Sequence, residues 1–221
     1  MTLKRGQRRL LNILVSAGPT REPIDPVRFI SNYSTGLFGY EIAKEAKARR
    51  HRVILISGPT ALARPSGVRS INICTARQMK AELNERFSWC DCLIMSAAVC
   101  DFRAKTIAKK KLKKTGTKGI ILPLRQNPDI LRSLGRKKGN KVLAGLALET
   151  EKLKENAQNK LKEKNLDIIA ASQIKTGSCP FGPGRLSVLL MDKRGNTRQI
   201  RQATKQRLAQ ILLDSIEKAV L

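Results

Sequence analysis

Short apolar runs recur along the chain and predict the strands of a sheet. They cover residues 13–17, 53–56, 70–74, 92–96, 142–148 and 166–170. Near-continuous apolar runs of this length are typical of strands that are buried on both faces of a parallel sheet. We therefore predict a sheet whose central strands have no solvent-facing side.

Between these runs, apolar residues recur three or four positions apart, which predicts amphipathic helices. The helices are expected over residues 40–49, 75–87, 149–164 and 203–220, with a short one beginning at 127–129. Thr75 is placed to cap the second helix. Alternating strands and helices indicate an α/β fold, a Rossmann-like and mostly parallel sheet with right-handed crossovers and helices on both faces.

The end of the chain has a different pattern. Two runs, 186–191 and 197–200, flank the turn sequence DKRGN, which predicts a hairpin and so an antiparallel pair at the C-terminal edge of the sheet. At 221 residues, the chain is expected to form a single domain over 1–221.

The connection after the first strand, residues 18–39, is unusually long and rich in constrained and polar residues. It holds three prolines, three glycines, two arginines and two carboxylates. Its end, Ser34-Thr35-Gly36 followed by Gly39, resembles the tail of a dinucleotide fingerprint, where glycines let backbone N–H groups approach a phosphate at a helix N-terminus. A loop that simply needs glycines would look the same locally, but the whole composition predicts a binding and catalytic loop for an anionic substrate.

A second segment, residues 103–122, loses its periodicity and is dominated by lysine. We interpret it as a mobile basic flap. A solvated run of charge is the alternative interpretation.

The chain carries 44 Lys and Arg against 17 Asp and Glu, a net charge of +27, which favours anionic partners. The basic residues are dispersed, and aromatic residues make up only 4%, so a nucleic-acid stripe is not expected. A nucleic-acid-binding protein on a Rossmann-like scaffold remains the alternative function. No run reaches the roughly 18 apolar residues of a membrane span, and the basic N-terminus lacks the apolar segment of a signal peptide. We therefore expect a soluble, cytoplasmic protein.

Cysteine and histidine offer little catalytic chemistry. The five cysteines, Cys74, Cys90, Cys92, Cys100 and Cys179, are expected to be reduced core thiols. Cys90 and Cys92 are predicted to share one face of a strand, but no second pair completes a zinc site. The single histidine, His51, lies between two arginines and is predicted to occupy a surface turn.

The wider pattern resembles the phosphopantothenate–cysteine ligases, the phosphopantothenoylcysteine synthetases of coenzyme A biosynthesis. The resemblance rests on residues 17–32 (AGPTREPIDPVRFISN), 34–36 (STG), 57–59 (SGP), 97–102 (AAVCDF), 111–114 (KLKK), 127–130 (NPDI) and 160–167 (KLKEKNLD). Order and spacing match from about residue 13 to 216. Because only twelve residues precede the first predicted strand, the chain resembles the free-standing bacterial type.

The resemblance implies a homodimer that joins 4′-phosphopantothenate and L-cysteine through an acyl-cytidylate, with CTP as co-substrate and Mg²⁺ held mainly by the triphosphate. Asn32 and Lys111 match the catalytic residues. The substrate would be bound by Asp25, Arg28, Ser34, Thr35, Gly36 and Ala98, and the nucleotide by Asp101, Lys111, Leu146, Lys160 and Lys164. No protein ligand to a metal is expected.

Several of these positions also allow a simpler interpretation. Asp25 and Arg28 could form an internal ion pair, and the register of the critical flap lysine among residues 109–114 is open. Lys160 and Lys164 are four apart, so we expect them to project side by side, although lysines there could merely complement the helix dipole.

The sequence also departs from the resembling family near the base. Leu146 replaces a common phenylalanine, Ser172 replaces an asparagine, and residues 182–185 (GPGR) replace an asparagine-rich stretch. These departures weaken the choice of CTP over ATP.

Overall fold

A computed structural model of the protein describes residues 9–114, 119–174 and 180–220. The strands are β1 (Asn12–Ala17), β2 (Arg21–Pro23), β3 (Phe29–Ser31), β4 (Arg52–Ser57), β5 (Arg69–Asn72), β6 (Cys92–Met95), β7 (Phe102–Ala104), β8 (Leu124–Gln126), β9 (Val142–Glu149), β10 (Ile168–Gln173), β11 (Leu186–Asp192) and β12 (Thr197–Ala203). The helices are α1 (Leu37–Ala48), α2 (Ala76–Arg86), α3 (Ile130–Gly135), α4 (Leu153–Glu163) and α5 (Lys205–Val220).

Eight strands form the central sheet in the order β12-β11-β10-β9-β6-β1-β4-β5. All neighbours from β10 to β5 are parallel, whereas β11 and β12 pair antiparallel at the edge. The predicted α/β class and the C-terminal edge hairpin are therefore confirmed. The strand order reverses between β1 and β6, which are adjacent strands in the interior of the sheet.

Each face of the sheet is covered by its own apolar core. On one face, α1 and α5 pack through residues such as Ile42 and Leu212; on the other, α2, α3 and α4 pack through residues such as Leu83, Leu134 and Leu161. Fully burying one such side chain stabilises the fold by roughly 1.5–3 kcal/mol. Helices on both faces of the sheet are thus confirmed.

The N-terminus of α2 forms as the sequence predicts. The side-chain oxygen of Thr75 accepts a hydrogen bond from the N–H of Gln78 at 3.3 Å, and the side chain of Gln78 accepts one from the N–H of Thr75 at 2.9 Å. This reciprocal capping box satisfies two N–H groups that the helix itself cannot pair.

Two small hairpins were not predicted. β2 pairs with β3 inside the long first loop, and β7 pairs with β8 on either side of the basic segment. Each of these strands has only three residues and no apolar alternation. Most of the predicted flap, 103–122, is therefore the connection between β7 and β8, and its residues 115–118 lie outside the described residues.

Some predicted boundaries were wrong as well. Residue 149 belongs to β9, and α4 begins only at Leu153, after Lys152 adopts a left-handed backbone conformation (φ 48°). The last helix begins at Lys205 because β12 extends to Ala203.

His51 is buried and does not occupy a surface turn as predicted. Only 1% of the residue is exposed. Its Nδ1 accepts a hydrogen bond from the N–H of Leu11 at 3.2 Å, and its Nε2 lies 3.1 Å from Oε1 of Glu217 on α5. The packing of α5 against α1 covers this position. The two arginines that flank His51 in the sequence give no indication of this burial, because α5 is distant in the chain.

Four cysteines, Cys74, Cys90, Cys92 and Cys100, are free thiols in the described residues, whereas Cys179 lies outside them. Cys90 and Cys92 belong to the cores on opposite faces of the sheet, so the prediction that they share a face was wrong. The reason is that Cys90 precedes β6 and does not belong to it. Burial raises the pKa of the Cys90 thiol to about 11, and burial also raises that of Cys92 well above its ordinary value.

Candidate functional site

The carboxyl ends of the parallel strands border a cavity of about 440 Å³. In open α/β sheets, ligands bind at this edge, where strand order reverses. The cavity brings together eight of the residues that the sequence singled out: Asn32, Ser34, Thr35, Gly36, Ala98, Asp101, Leu146 and Lys160. It therefore joins parts of the predicted substrate and nucleotide sites in one space.

Asn32 is held over the segment that follows β6. Its Nδ2 donates a hydrogen bond to the carbonyl oxygen of Ala98 at 2.9 Å and contacts Sγ of Cys100 at 3.7 Å. The same Ala98 carbonyl accepts from the N–H of Thr20 at 3.1 Å, and the N–H of Ala98 donates to Gly18 at 3.0 Å. Ala98 is thus fixed by the start of the first loop, and it fixes Asn32 in turn.

The first turn of α1 forms another wall of the cavity. Gly36, with φ 81°, precedes the helix, and its N–H donates to Oγ of Ser34 at 3.3 Å. Leu37, Phe38 and Gly39 also line the cavity. The positive end of the helix dipole and the N–H groups of this turn therefore border the space, as in sites that bind anions.

Thr35 contacts the protein on two sides. Its Oγ1 donates to the carbonyl oxygen of Phe181 at 2.6 Å, and its own carbonyl accepts from Oγ1 of Thr60 at 2.8 Å. Thr35 therefore connects the first loop with the segment before β11. This arrangement suits a residue that shapes the cavity.

Gly58, directly after β4, permits close packing behind the first loop. A Cβ at this position would overlap the carbonyl oxygen of Pro19. The N–H of Gly58 donates to Ala17 at 3.0 Å. The Ser-Gly-Pro motif at 57–59 thus supports the loop from behind.

Lys160 reaches the cavity from α4. Its Nζ lies 2.5 Å from Oε1 of Glu149, whose other oxygen accepts from Asn156 at 3.1 Å. About 40% of the Lys160 side chain is exposed, against 10% of the Glu149 side chain. The carboxylate therefore holds the ammonium group at the end of β9 while leaving part of it open to a ligand.

Lys164 lies elsewhere. It caps the C-terminus of α4, and its Nζ pairs with Oδ2 of Asp129 at 3.0 Å, beside a second cavity of about 550 Å³. The expectation that Lys160 and Lys164 project side by side was wrong, because α4 ends at Glu163 and each lysine pairs with a different carboxylate. Asp101 and Leu146 line both cavities and mark their boundary.

Asp25 and Arg28 form the internal ion pair that the sequence left open. Oδ2 of Asp25 accepts from Nη2 of Arg28 at 2.6 Å and from Nε at 3.0 Å. Burial by itself would raise the pKa of Asp25, but hydrogen bonds from Arg28 and from the backbone N–H groups of Leu112, Val27 and Arg28 hold this pKa well below its ordinary range. Neither residue lines the two cavities, and neither does the exposed Lys111.

Phe181 and Lys205 are among the cavity residues that were not singled out from the sequence. Phe181 lies in the segment before β11, and Lys205 lies in the first turn of α5, with its Nζ donating hydrogen bonds to the carbonyl oxygens of Gly182 and Gly184. A cation is disfavoured at a helix N-terminus, so a lysine near the start of the last predicted helix was the signal available in the sequence. For Phe181, no local pattern distinguished it from a loop residue.

Ser172, one of the departures near the predicted base position, also lines the 440 Å³ cavity, together with Leu146.

Across the described ranges, no helix combines the length and apolar character that crossing a bilayer requires.

Comparison with known proteins places the chain in a family. The chain is 40% identical over 190 residues to the coenzyme A biosynthesis bifunctional protein CoaBC of Bacillus subtilis strain 168, covering 86% of this chain and 47% of the relative. It is 38% identical over 209 residues to the protein of that name from Escherichia coli K12, covering 93% and 51%. The chain thus spans about half the length of the curated relatives it matches.

The fold of the chain also matches a solved structure that carries the name of these relatives. The crystal structure of the C-terminal domain of a coenzyme A biosynthesis bifunctional protein CoaBC superposes with a TM-score of 0.80 at 36% identity, covering 94% of each chain. Residues 9–220 match the family model described as the DNA/pantothenate metabolism flavoprotein C-terminal domain, and the chain belongs to this family.

Proposed function

We propose that the protein is a phosphopantothenate–cysteine ligase of coenzyme A biosynthesis. The observation that carries the proposal is the 440 Å³ cavity, in which the amide of Asn32, the N-terminal turn of α1, Asp101 and Lys160 border one space. The names of the relatives, coenzyme A biosynthesis bifunctional proteins, support it, since the chain corresponds to one half of each. We expect the reaction to occur in the cytoplasm.

In the first step, a carboxylate oxygen of 4′-phosphopantothenate attacks the α-phosphorus of the nucleotide, and pyrophosphate leaves. Negative charge accumulates on the phosphate oxygens, so positioned cations and N–H donors contribute most of the stabilisation of the transition state. We propose that Lys160 and the first turn of α1, which border the cavity, supply this stabilisation, and that Lys111 joins them when the basic segment moves toward the cavity. Lys164 would act from the adjoining cavity.

In the second step, the amine of cysteine attacks the activated carbonyl carbon, and the nucleoside monophosphate leaves with the bonding electron pair. The carbonyl oxygen becomes an oxyanion in the tetrahedral intermediate. A preorganised amide donor at such an oxygen contributes roughly 3–4 kcal/mol. We assign this donor to Asn32, which the Ala98 carbonyl keeps in place.

Ser34, Thr35, Gly36 and Ala98 would bind the pantothenate portion. The hydroxyl of Thr35 is bonded to Phe181, so its contribution is to shape the wall of the cavity. CTP remains the proposed nucleotide. Leu146 and Ser172 both line the cavity, and we propose that they contact the base, which makes a comparison of CTP with ATP informative.

Mg²⁺ is the proposed metal, bound mainly by triphosphate oxygens, whose charge it would neutralise. Asp101 offers a hard carboxylate oxygen at the border of the two cavities, a donor of the type that Mg²⁺ accepts. Within the described ranges, no three His, Cys, Asp or Glu side chains gather into a metal cluster. We propose that the metal arrives with the nucleotide.

A homodimer is also part of the proposal. The two small hairpins and their connections expose an unusual set of large apolar side chains: Val27, Phe29, Phe102, Ile107, Ile120, Ile121 and Leu124. β2 contacts β7, so the hairpins adjoin. Apolar surface of this kind is typical of an interface, and a second copy of the chain is the partner we propose.

A coupled assay tests the function. We expect pyrophosphate release that requires 4′-phosphopantothenate and a nucleoside triphosphate, and an amide product that also requires cysteine. Competition between CTP and ATP then identifies the preferred base. Absence of turnover with both nucleotides would contradict the proposal.

The nucleic-acid alternative rests on the net charge of +27. It predicts RNA or duplex binding whose affinity falls steeply with salt and is unaffected by Asn32→Ala. A salt titration of RNA binding beside the pyrophosphate assay separates the two functions.

A further inference from the structure

The turn between β2 and β3 holds the basic segment 105–114 at two points. The carbonyl oxygen of Ile24 accepts a hydrogen bond from the N–H of Ala108 at 2.9 Å. Four residues later, the N–H of Leu112 donates to Oδ2 of Asp25 at 3.0 Å, and the Leu112 carbonyl accepts from Nη2 of Arg28 at 2.5 Å. Both backbone polar groups of Leu112 are thus bound by one ion pair.

The ion pair is itself rigid. The side chain of Asp25 has no exposed area, and its Oδ1 accepts from the N–H groups of Val27 and Arg28 at 2.8 Å each. The carbonyl of Arg28 closes the turn by accepting from the N–H of Ile24 at 2.9 Å. Every contact of Asp25 therefore serves to hold the turn, Arg28 or Leu112.

The segment needs such an anchor because it is strongly self-repelling. Lysines occupy positions 109–111, 113 and 114, directly on either side of Leu112. A run of like charges tends to extend into solvent. An anchor on the backbone of Leu112 restrains the flanking lysines without occupying their ammonium groups.

We propose that Asp25 and Arg28 form a clasp that holds Leu112 and thereby positions Lys111, so that both are positioning residues and do not bind substrate. For the role of Lys111 the inference rests on the proposed ligase function. The clasp itself does not depend on that function. The anchored residue also selects Lys111 and Lys113, the immediate neighbours of Leu112, from the lysines at 109–114.

Hydrogen exchange at the Leu112 amide tests the clasp without any ligand. In Asp25→Ala we expect this amide to exchange at least about tenfold faster than in the unaltered chain, because its acceptor is gone and local opening is easier. Glu41→Ala is the matched control. Glu41 pairs with Lys44 on α1 at the same i,i+3 spacing, so its loss removes an ion pair of that spacing without touching the segment.

Asp25→Asn and Arg28→Gln provide milder variants if Asp25→Ala does not fold. Arg28→Gln removes the donor to the Leu112 carbonyl and should increase exchange in the segment, to a smaller extent. Unchanged Leu112 exchange in folded Asp25 and Arg28 variants would overturn the clasp.

Kinetics distinguish positioning from substrate binding. For a clasp, Asp25→Asn lowers kcat with little change in the KM for 4′-phosphopantothenate, and the double variant with Lys111→Met is no slower than Lys111→Met alone. If the rate losses of the two single variants multiply in the double variant, and the KM for 4′-phosphopantothenate is raised, Asp25 is instead a substrate ligand. If the unaltered chain lacks ligase activity, the exchange measurement still decides whether the clasp exists.

Discussion

Nζ of Lys160 and Oε1 of Glu149 lie 2.5 Å apart at the point where β9 ends and the cavity begins. The pair joins α4 to the sheet. A single lysine held by a largely buried carboxylate is a preorganised cation, because its position is fixed before any ligand arrives. It differs from Lys111, whose position depends on a loop.

Replacing Lys160 should weaken nucleotide binding. In Lys160→Met, which keeps the length of the side chain, we expect the KM for CTP to rise about tenfold, the effect of losing one charge-assisted hydrogen bond. Initial rates at varied CTP measure the change. Lys162→Met, on the same helix and outside both cavities, is the control. Equal effects in the two variants would indicate general electrostatics and would contradict a specific role for Lys160.

Removing the Asn32 amide should block the second step and spare the first. In Asn32→Ala we expect pyrophosphate release to persist while cysteine transfer falls by about a hundredfold or more, as when one oxyanion donor is lost. The acyl nucleotide should then accumulate and be detectable by mass spectrometry. Asn196→Ala, in the distant β11–β12 turn, controls for loss of an asparagine. Normal cysteine transfer in Asn32→Ala would refute the assigned role.

The sheet and its helices could be predicted because their signal is local. Strands such as β1 and β10 are built around short apolar runs, and α2 carries its own capping box at Thr75. The hairpins were missed because three-residue strands have no period to detect, and β2 with β3 forms only when Arg21 and Ser31 meet across a proline-containing turn.

The sequence predicted which residues belong to the candidate site better than it predicted how they are arranged. The resemblance identified Asn32, Asp101 and Lys160, which the fold brings to one cavity. It could not reveal that Asp25 also accepts a hydrogen bond from the N–H of Leu112, because residue 112 is 87 positions away. The contact of His51 with Glu217 likewise joins residues that are 166 positions apart.

Gly58 should tolerate no side chain. Gly58→Ala places a Cβ against the carbonyl oxygen of Pro19, so the end of β4 and the first loop must separate. We expect a loss of roughly 1–3 kcal/mol in the free energy of unfolding, the usual cost of overpacking. Urea denaturation measures it, and activity should fall as well because the loop carries Asn32. Gly119→Ala, where an added Cβ meets nothing within 4 Å, is the control. Equal stability of the two variants would contradict the prediction and would show that the loop shifts to accommodate the added methyl group.

Asp167 lies at the end of the sheet opposite the cavity, and we expect it to make the stability of the fold depend on pH. Its Oδ2 accepts from Nζ of Lys138 at 2.8 Å and from the N–H of Leu143 at 2.9 Å, and its Oδ1 accepts from Nζ of Lys193 at 2.7 Å. Burial alone would raise the pKa of Asp167, but these hydrogen bonds outweigh burial and bring the pKa below the ordinary value of 3.8.

A carboxyl group whose pKa is lowered by folding stabilises the native state fully above its unfolded pKa, and that contribution is lost as the pH falls through the folded pKa. We therefore expect Asp167→Asn to lower the free energy of unfolding by about 3 kcal/mol at pH 7. The difference from the unaltered chain should stay constant down to about pH 5 and shrink as the pH falls below 3.8.

Urea titrations at pH 7, 5 and 3 measure this difference. Asp214→Asn is the control, because the Asp214 side chain is 48% exposed in its pair with Arg49 and should contribute under about 1 kcal/mol. A difference for Asp167→Asn that persists unchanged at pH 3 would mean that the lost stability comes from packing, since ionisation of the carboxylate would no longer account for it.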